Sequence, residues 1–424
     1  MARRNQSVSC RYIGVALAES SGTGGRKLEE VRRIRVAREV VISNHSKMAI
    51  SVDHYAAYRE ANLERDMSML GKACFCWVLV LALQPLASLA ATTAAAGSQR
   101  DGQHDFDFNF GGWNTHIRRL QHPLTGSSDW TELNGTVVVN EIWNGKAQIE
   151  EIEADGPGGH FEGMTLFLYN PKAHQWGMYF ANSSEGAVDQ PGIGEFRDGR
   201  GEFYSQELYQ GRSVLVRMVW SDIKKDSHQV EQSFSVDGGQ TWEPNFIGDL
   251  TRNNQAAAQA TTPPVDATTQ QHGFDWQFGA WNIHMSRLLH PLTGSNTWSP
   301  LDGTVDVRKL WGGRANLAEI DTQGPSGHLE FLALRLYNPQ SKQWNLTFAH
   351  SDDGVLNSPP LIGEFKDARG VFYDQEPSFQ GRAILVRFTF LSLDADSSRD
   401  EQAFSADGGK TWEVNWINMQ TRRK

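Results

Sequence analysis

Four arginines in this 424-residue chain stand where a β-strand could turn a cation toward an apolar interior. Arg119 and Arg287 each follow a tryptophan by six residues, in the stretches WNTHIRRL and WNIHMSRL. Alternate residues of an extended strand share a face. Trp113, Thr115, Ile117 and Arg119 therefore point one way, as do Trp281, Ile283, Met285 and Arg287. Arg217 and Arg387 lie in SVLVRMVW and AILVRFTF, where nearly every neighbour is apolar. An arginine inside a barrel must be paired or must hold an anion. Glu151 and Glu319, with Glu231 and Glu401, are available partners. The chemistry expected is fixation of a carboxylate or phosphate on a small, mostly apolar molecule. Arg119, Arg217, Glu151, Arg287, Arg387 and Glu319 are the candidate ligand-binding residues. A buried Arg–Glu pair without a ligand, or an arginine laid along the outer wall, fits the same pattern.

Catalytic patterns are sparse. Three histidines recur in matched positions, His116/His284, His122/His290 and His160/His328. None falls in an H-x-H or H-E-x-x-H spacing, so no metal site is assigned. There is no G-x-S-x-G elbow, and no carboxylate spacing singles out a glycosidase pair. No catalytic residue or cofactor is assigned. A barrel-mouth enzyme, a hydrolase or isomerase working through His122, His160 or Glu151, is the alternative reading. A module that docks an envelope partner is another.

The elements that must position these residues are written twice. FDFNFGGWNTHIRRLQHPLTGSSDW, from Phe106, matches FDWQFGAWNIHMSRLLHPLTGSNTW, from Phe274, at an offset of 168. The offset becomes 169 at Gly194/Gly363 and 170 at Gln210/Gln380, and holds to Arg252/Arg422. Two one-residue insertions over such a length mark a duplicated domain. Within each copy, short alternating stretches are separated by turn residues, giving about nine or ten antiparallel strands in sequence order. Such strands close most simply into an up-and-down barrel, with a β-sandwich as the alternative. The fold class expected is all-β, two tandem lipocalin-like antiparallel barrels. Packing of one barrel on the other within the chain is possible.

Each copy also contains S-x-D-G-G-x-T-W-E, at Ser235–Glu243 and Ser405–Glu413. The pattern resembles the Asp-box hairpin of sialidase-type propellers. Propeller blades recur every ~40–50 residues, so copies this far apart exclude a propeller. Asp-Gly-Gly between two alternating stretches is a tight-turn signal, and the motif reads as a β-hairpin.

Gly111-x-Trp113 and Gly279-x-Trp281 open the copies, and Arg252 and Arg422 end their last strands. This combination resembles the calycin superfamily, the lipocalins and their relatives. The resemblance implies that Trp113 and Trp281 close a barrel floor while Arg252 and Arg422 pack across the indoles. Together with FDF-x-x-G-x-W and the DGG-x-TWE hairpin, it is similar to a family of small bacterial lipocalin-like domains of unknown function. The haem-binding run G-x-W-x-G-x-G is replaced by GGWNTH and GAWNIH.

The chain carries a formal charge of −10, without the basic face that nucleic-acid binding needs. Residues 1–66 hold 12 Lys+Arg and 8 Asp+Glu and lack a hydrophobic period; they read as a disordered or mis-assigned leader. Residues 67–90, MSMLGKACFCWVLVLALQPLASLA, have the layout of a secretory signal peptide. Its apolar run is short for a membrane span, so no stable anchor is expected after cleavage. Residues 91–104 and 254–272 read as linkers, bracketing a first barrel at 105–253 and a second at 273–424. All three cysteines, Cys10, Cys74 and Cys76, precede the cleavage point. The expected location is periplasmic or secreted.

Overall fold

The computed structural model describes residues 100–253, 255 and 270–424. The expected leader, signal peptide and three cysteines lie outside the described residues, as does most of the linker between the copies. Among the described residues, no helix is long and apolar enough to cross a membrane.

Ten strands form the first unit: β1 Gly111–Leu120, β2 Trp130–Ile142, β3 Ala147–Gly156, β4 Gly159–Asn170, β5 Gln175–Asn182, β6 Gly192–Arg197, β7 Arg200–Tyr209, β8 Arg212–Lys224, β9 Ser227–Ser235 and β10 Glu243–Arg252. Ten more repeat the order: β11 Gly279–Leu288, β12 Trp298–Leu310, β13 Ala315–Gly324, β14 Gly327–Asn338, β15 Gln343–His350, β16 Leu361–Lys366, β17 Arg369–Phe379, β18 Arg382–Ser392, β19 Ser397–Ser405 and β20 Glu413–Arg422. Every strand pairs with its sequence neighbours, and the first pairs with the last, so both sheets are closed barrels. Closure excludes the sandwich, because a sandwich keeps free edges. Trp113 lies opposite Arg252 and Trp281 opposite Arg422 in the closing ladders.

One end of each barrel is plugged by aromatic rings. Phe106 and Phe274, from the turns ahead of β1 and β11, are at most 1% exposed. The Phe106 ring centre lies 4.6 Å from Phe167, 4.8 Å from Phe196 and 5.2 Å from Trp176. Contacts begin slightly ahead of the boundaries expected at 105 and 273. The indole of Trp176 donates to the Gly102 carbonyl at 2.9 Å, and that of Trp344 donates to the Gln270 carbonyl at 2.9 Å.

The opposite end is covered by the HPLTG loops, and here the Asp-Gly-Gly hairpins find their use. Asp237 accepts from the backbone N–H groups of Gln240 and Thr241, both at 3.0 Å, and from the Thr241 hydroxyl at 2.6 Å. These donors hold its carboxyl down at about 2, and Asp407 is held likewise. The rigid turn places Glu243 to accept the Leu124 N–H at 2.5 Å, and Glu413 to accept that of Leu292 at 2.5 Å. Leu124 then packs on Val214, Val216 and Phe234. Both leucines adopt positive φ, 65° and 63°, a conformation that bulky residues rarely hold without such a tether.

The two barrels meet through the outer faces of β3–β5 and β13–β15. Ile149, Met164, Leu166 and Leu168 interlock with Leu317, Leu332, Leu334 and Leu336, all at most 1% exposed. Each residue of the first set has its 168-residue equivalent in the second, so the seam is quasi-two-fold. Lys146 faces Glu330 at 3.9 Å, and its equivalent Arg314 donates to Glu162 at 2.7 Å. Gly186 sits against the Tyr337 carbonyl and Gly354 against that of Tyr169; a Cβ on either glycine would lie 2.0 Å from the oxygen. β4 and β14 are thus buried on both faces, one in a barrel and one in the seam.

Candidate functional site

The closure pair is built as an indole under a guanidinium. The Arg252 guanidinium carbon stands 3.5 Å from the Trp113 ring centre, and that of Arg422 stands 4.1 Å from Trp281. Arg252 also donates to the carbonyls of Phe110 at 2.6 Å and Phe108 at 2.9 Å, which ties the plugging turn to the last strand. Arg422 repeats both bonds, to Phe278 and Trp276, at 2.8 Å each.

The four arginines expected inside are placed elsewhere. Arg119 and Arg287 are exposed, two residues beyond the last buried inward positions, Ile117 and Met285. The strands outrun the core there, and a guanidinium at the rim keeps its water. Arg287 lies over the Trp416 ring at 5.6 Å. Arg217 and Arg387 are on the outer wall, stacked on the hairpin indoles of Trp242 at 4.6 Å and Trp412 at 4.5 Å. Their strands bury the other face, with Val214, Val216 and Trp220 pointing inward. Glu151 and Glu319 are half-buried on β3 and β13 near the inter-barrel seam and line neither the second barrel's cavity nor the recess outside the first barrel's plugged end. Arg308 donates to Glu319 at 3.3 Å, and its charge partly offsets the burial that pushes Glu151 up to about 7. Glu231 and Glu401 do not pair with these four arginines either: Glu231 accepts from Ser233 at 2.8 Å, and Glu401 accepts from a different arginine, Arg399, at 2.7 Å. The histidines singled out by position are at the surface. His160 pairs with Asp155 at 3.0 Å, His328 with Asp321 at 2.8 Å and His284 with Asp302 at 2.7 Å.

Among the described residues the buried cation is Arg335, on β14, which sequence reasoning passed over. It is 3% exposed, and its guanidinium carbon lies 4.6 Å from the Phe274 ring and 5.0 Å from Phe390. Its Nη1 donates to Gln277 Oε1 at 2.5 Å and to Asn316 Oδ1 at 3.2 Å. The Gln277 amide donates to Gln420 Oε1 at 3.3 Å, and the Gln420 amide donates to Asp400 Oδ2 at 2.5 Å. Arg335 and Asp400 are thus joined through two glutamine amides. Burial pushes Asp400 up to about 7 against the pull of Arg335, and lowers Arg335 to about 10. Arg335 Nε and Asp400 Oδ1 have no hydrogen-bond partner. Both residues line a cavity of about 30 Å³, whose remaining wall includes Ile283, Val305, Phe331, Phe348 and Phe388. That is room for about one water.

The first barrel holds a different interior. Glu150 accepts from Asn109 at 3.3 Å and from Thr165 at 3.4 Å, and burial pushes it up to about 7. His228 stands edge-on to Trp113 at 4.5 Å; burial, then the nearby Arg252 charge, lowers it to about 4. A wider recess of about 620 Å³ lies outside the plugged end, among Arg100, Asp105, His174 and Arg197. Its arginines are already paired, Arg100 with Asp105 and Arg197 with Glu195, so it offers no unpaired arginine to an anion.

No family model matches the chain, and no curated protein matches it. Among solved structures, an S-type phycobiliprotein lyase, CPES, from Guillardia theta is similar at 11% identity and a TM-score of 0.27, over 37% of this chain and 94% of that one. A protein of unknown function from the DUF3598 family of Nostoc punctiforme is similar at 10% identity and a TM-score of 0.21, over 76% of this chain and all of that one. EF1p2_mFAP2b, bound to DFHBI, matches at 7% identity and a TM-score of 0.21, over 37% of this chain and all of that one. With TM-scores below 0.5, these likenesses carry no functional inference for this chain.

Proposed function

We propose that the chain is an exported, lipocalin-like binding protein that holds a small, mostly apolar ligand inside its second barrel. Export rests on the signal-peptide layout of residues 67–90. Binding rests on one observation above all: the second barrel encloses a cavity walled by aromatic and aliphatic side chains, with a few polar groups converging on it. Such a composition is that of small-molecule sites in general. The cavity is small as it stands, so a ligand enters by moving Phe331, Phe348 or Phe388, whose side chains are neither charged nor hydrogen-bonded. The first barrel, with its different lining, supports the second through the shared seam.

Native mass spectrometry of the purified chain, against a denatured sample, tests this. A co-purifying small molecule at one per chain is expected. Ala333→Leu fills the cavity from its wall and should abolish that mass difference while leaving the circular dichroism spectrum unchanged. A chain that carries nothing, or an Ala333→Leu chain that keeps its passenger, would refute the second barrel as the site.

A further inference from the structure

The interiors of the two copies differ as a set. Where the second barrel has Arg335, Asp400, Asn418 and Gln420, the first has Phe167, Val230, Gly248 and Leu250. Four polar residues line the cavity, Arg335 from β14 and the other three from β19 and β20 across the barrel, at positions that are apolar or bare in the sister domain. Each buried polar group costs free energy unless it is satisfied. Yet Arg335 Nε and Asp400 Oδ1 are left without a partner. Packing does not require these groups, since the sister barrel closes on the same strand plan without them.

We infer that the second barrel recognises a ligand by a neutral primary amide, its carbonyl accepting from Arg335 and its N–H donating to Asp400. This rests on the binding reading given above. Arg335 has donors only, and Asp400 presents an oxygen whose twin is already taken by Gln420. A carboxylate head would satisfy the arginine and set a second negative charge against Asp400 Oδ1. An alkyl ammonium would reverse the fault. An amide brings an acceptor and a donor on one planar group, which matches both open valences and leaves the Arg335–Gln277–Gln420–Asp400 chain intact. The apolar remainder of the ligand takes the space that Phe331 or Phe348 vacates on moving aside.

Butyramide and butyrate, nearly equal in shape, are the probes. Their binding to the full chain at pH 8 is followed by ligand-observed NMR, competed with the passenger where one co-purifies. The amide is expected to bind at least tenfold tighter. Asp400→Asn removes the repulsion and should erase or invert that preference, and the circular dichroism of the variant checks its fold. If the variant does not fold, the amide-to-carboxylate ratio on the unaltered chain still decides. Equal binding of the two probes would overturn the amide inference and leave the cavity reading standing. Failure of both probes to bind, while Ala333→Leu still loses a passenger, would overturn the inference alone. Failure of both together with an empty native spectrum would overturn both.

Discussion

Glu150 offers a quantitative check on the first barrel, because its environment penalises one protonation state. Its carboxyl is buried between Asn109 and Thr165 and titrates at about 7 instead of the ordinary 4.5, with desolvation as the dominant cause. The folded state therefore holds the proton more tightly than the unfolded chain. Below pH 4.5 both states are protonated and the group contributes no penalty. As pH rises from 4.5 to 7 the unfolded chain releases the proton first, and folding stability falls. Above 7 the loss is complete, at about 3 kcal/mol for a shift of this size. Glu150→Gln keeps the shape and removes the titration. The amide can still accept from Asn109, and its own N–H can reach Asn109 Oδ1, which lacks a partner.

Urea unfolding of parent and variant at pH 5 and pH 8 is the assay. The variant should be stabilised relative to the parent by about 2–3 kcal/mol more at pH 8 than at pH 5. Glu151, Asp189 and Asp400 are also raised to about 7, but they titrate identically in both proteins and cancel in the double difference. An equal variant-to-parent difference at the two pH values would refute the assignment of Glu150 as a buried, neutral acid.

Two further perturbations address the frame. Gly186→Ala drives a Cβ to 2.0 Å from the Tyr337 carbonyl across the seam, whereas Gly199→Ala, also at positive φ, meets nothing within 4 Å. The first should cost about 2–4 kcal/mol and the second about 1 kcal/mol, so unfolding free energies that match would argue against a close-packed seam. Arg252→Ala removes a cation–π contact and two charge-assisted hydrogen bonds to Phe108 and Phe110, and should cost about 2–3 kcal/mol. Arg252→Lys should fall between, since a lysine cannot reach both carbonyls while covering the indole; an alanine variant as stable as the parent in thermal denaturation would show that the closure is dispensable.

The architecture was legible because barrels advertise themselves locally. Alternation, turn residues and a repeated Gly-x-Trp to Arg frame specify sequential pairing, and nothing in that inference depends on distant contacts. The site was less legible for a reason visible in β14. Phe331 to Tyr337 is an unbroken buried run, FLALRLY, because the strand faces a barrel on one side and the sister domain on the other. Such a run does not alternate, so parity could not be read from it. One signal was nonetheless present: a single arginine in a stretch with no exposed face must be buried. Arg217 misled for the opposite reason. Its neighbours of opposite parity, Val214, Val216 and Trp220, are apolar because they point inward, and Arg217 itself lies outside under the Trp242 indole. Arg119 and Arg287 had the right parity but sat past the end of the core, which alternation alone does not mark.

The comparison between the copies separates residues that hold the frame from residues that differentiate the barrels. The closure pairs, the HPLTG loops, the tethering Glu243 and Glu413 and the leucines of the seam are the same in both or change only in size. These positions all answer to the strand plan, and the strand plan is shared. The interior is where Glu150 faces Ala318, Thr165 faces Ala333 and Phe167 faces Arg335 across the alignment. A filled core tolerates hydrophobic exchange at little cost, but exchanging an alkyl or aromatic group for a buried charge carries a penalty that packing does not return. Such exchanges persist when something outside the polypeptide's own stability favours them. In the second barrel four such exchanges, at Arg335, Asp400, Asn418 and Gln420, gather round one cavity in which Arg335 Nε and Asp400 Oδ1 lack partners, and that gathering supports the binding proposed there.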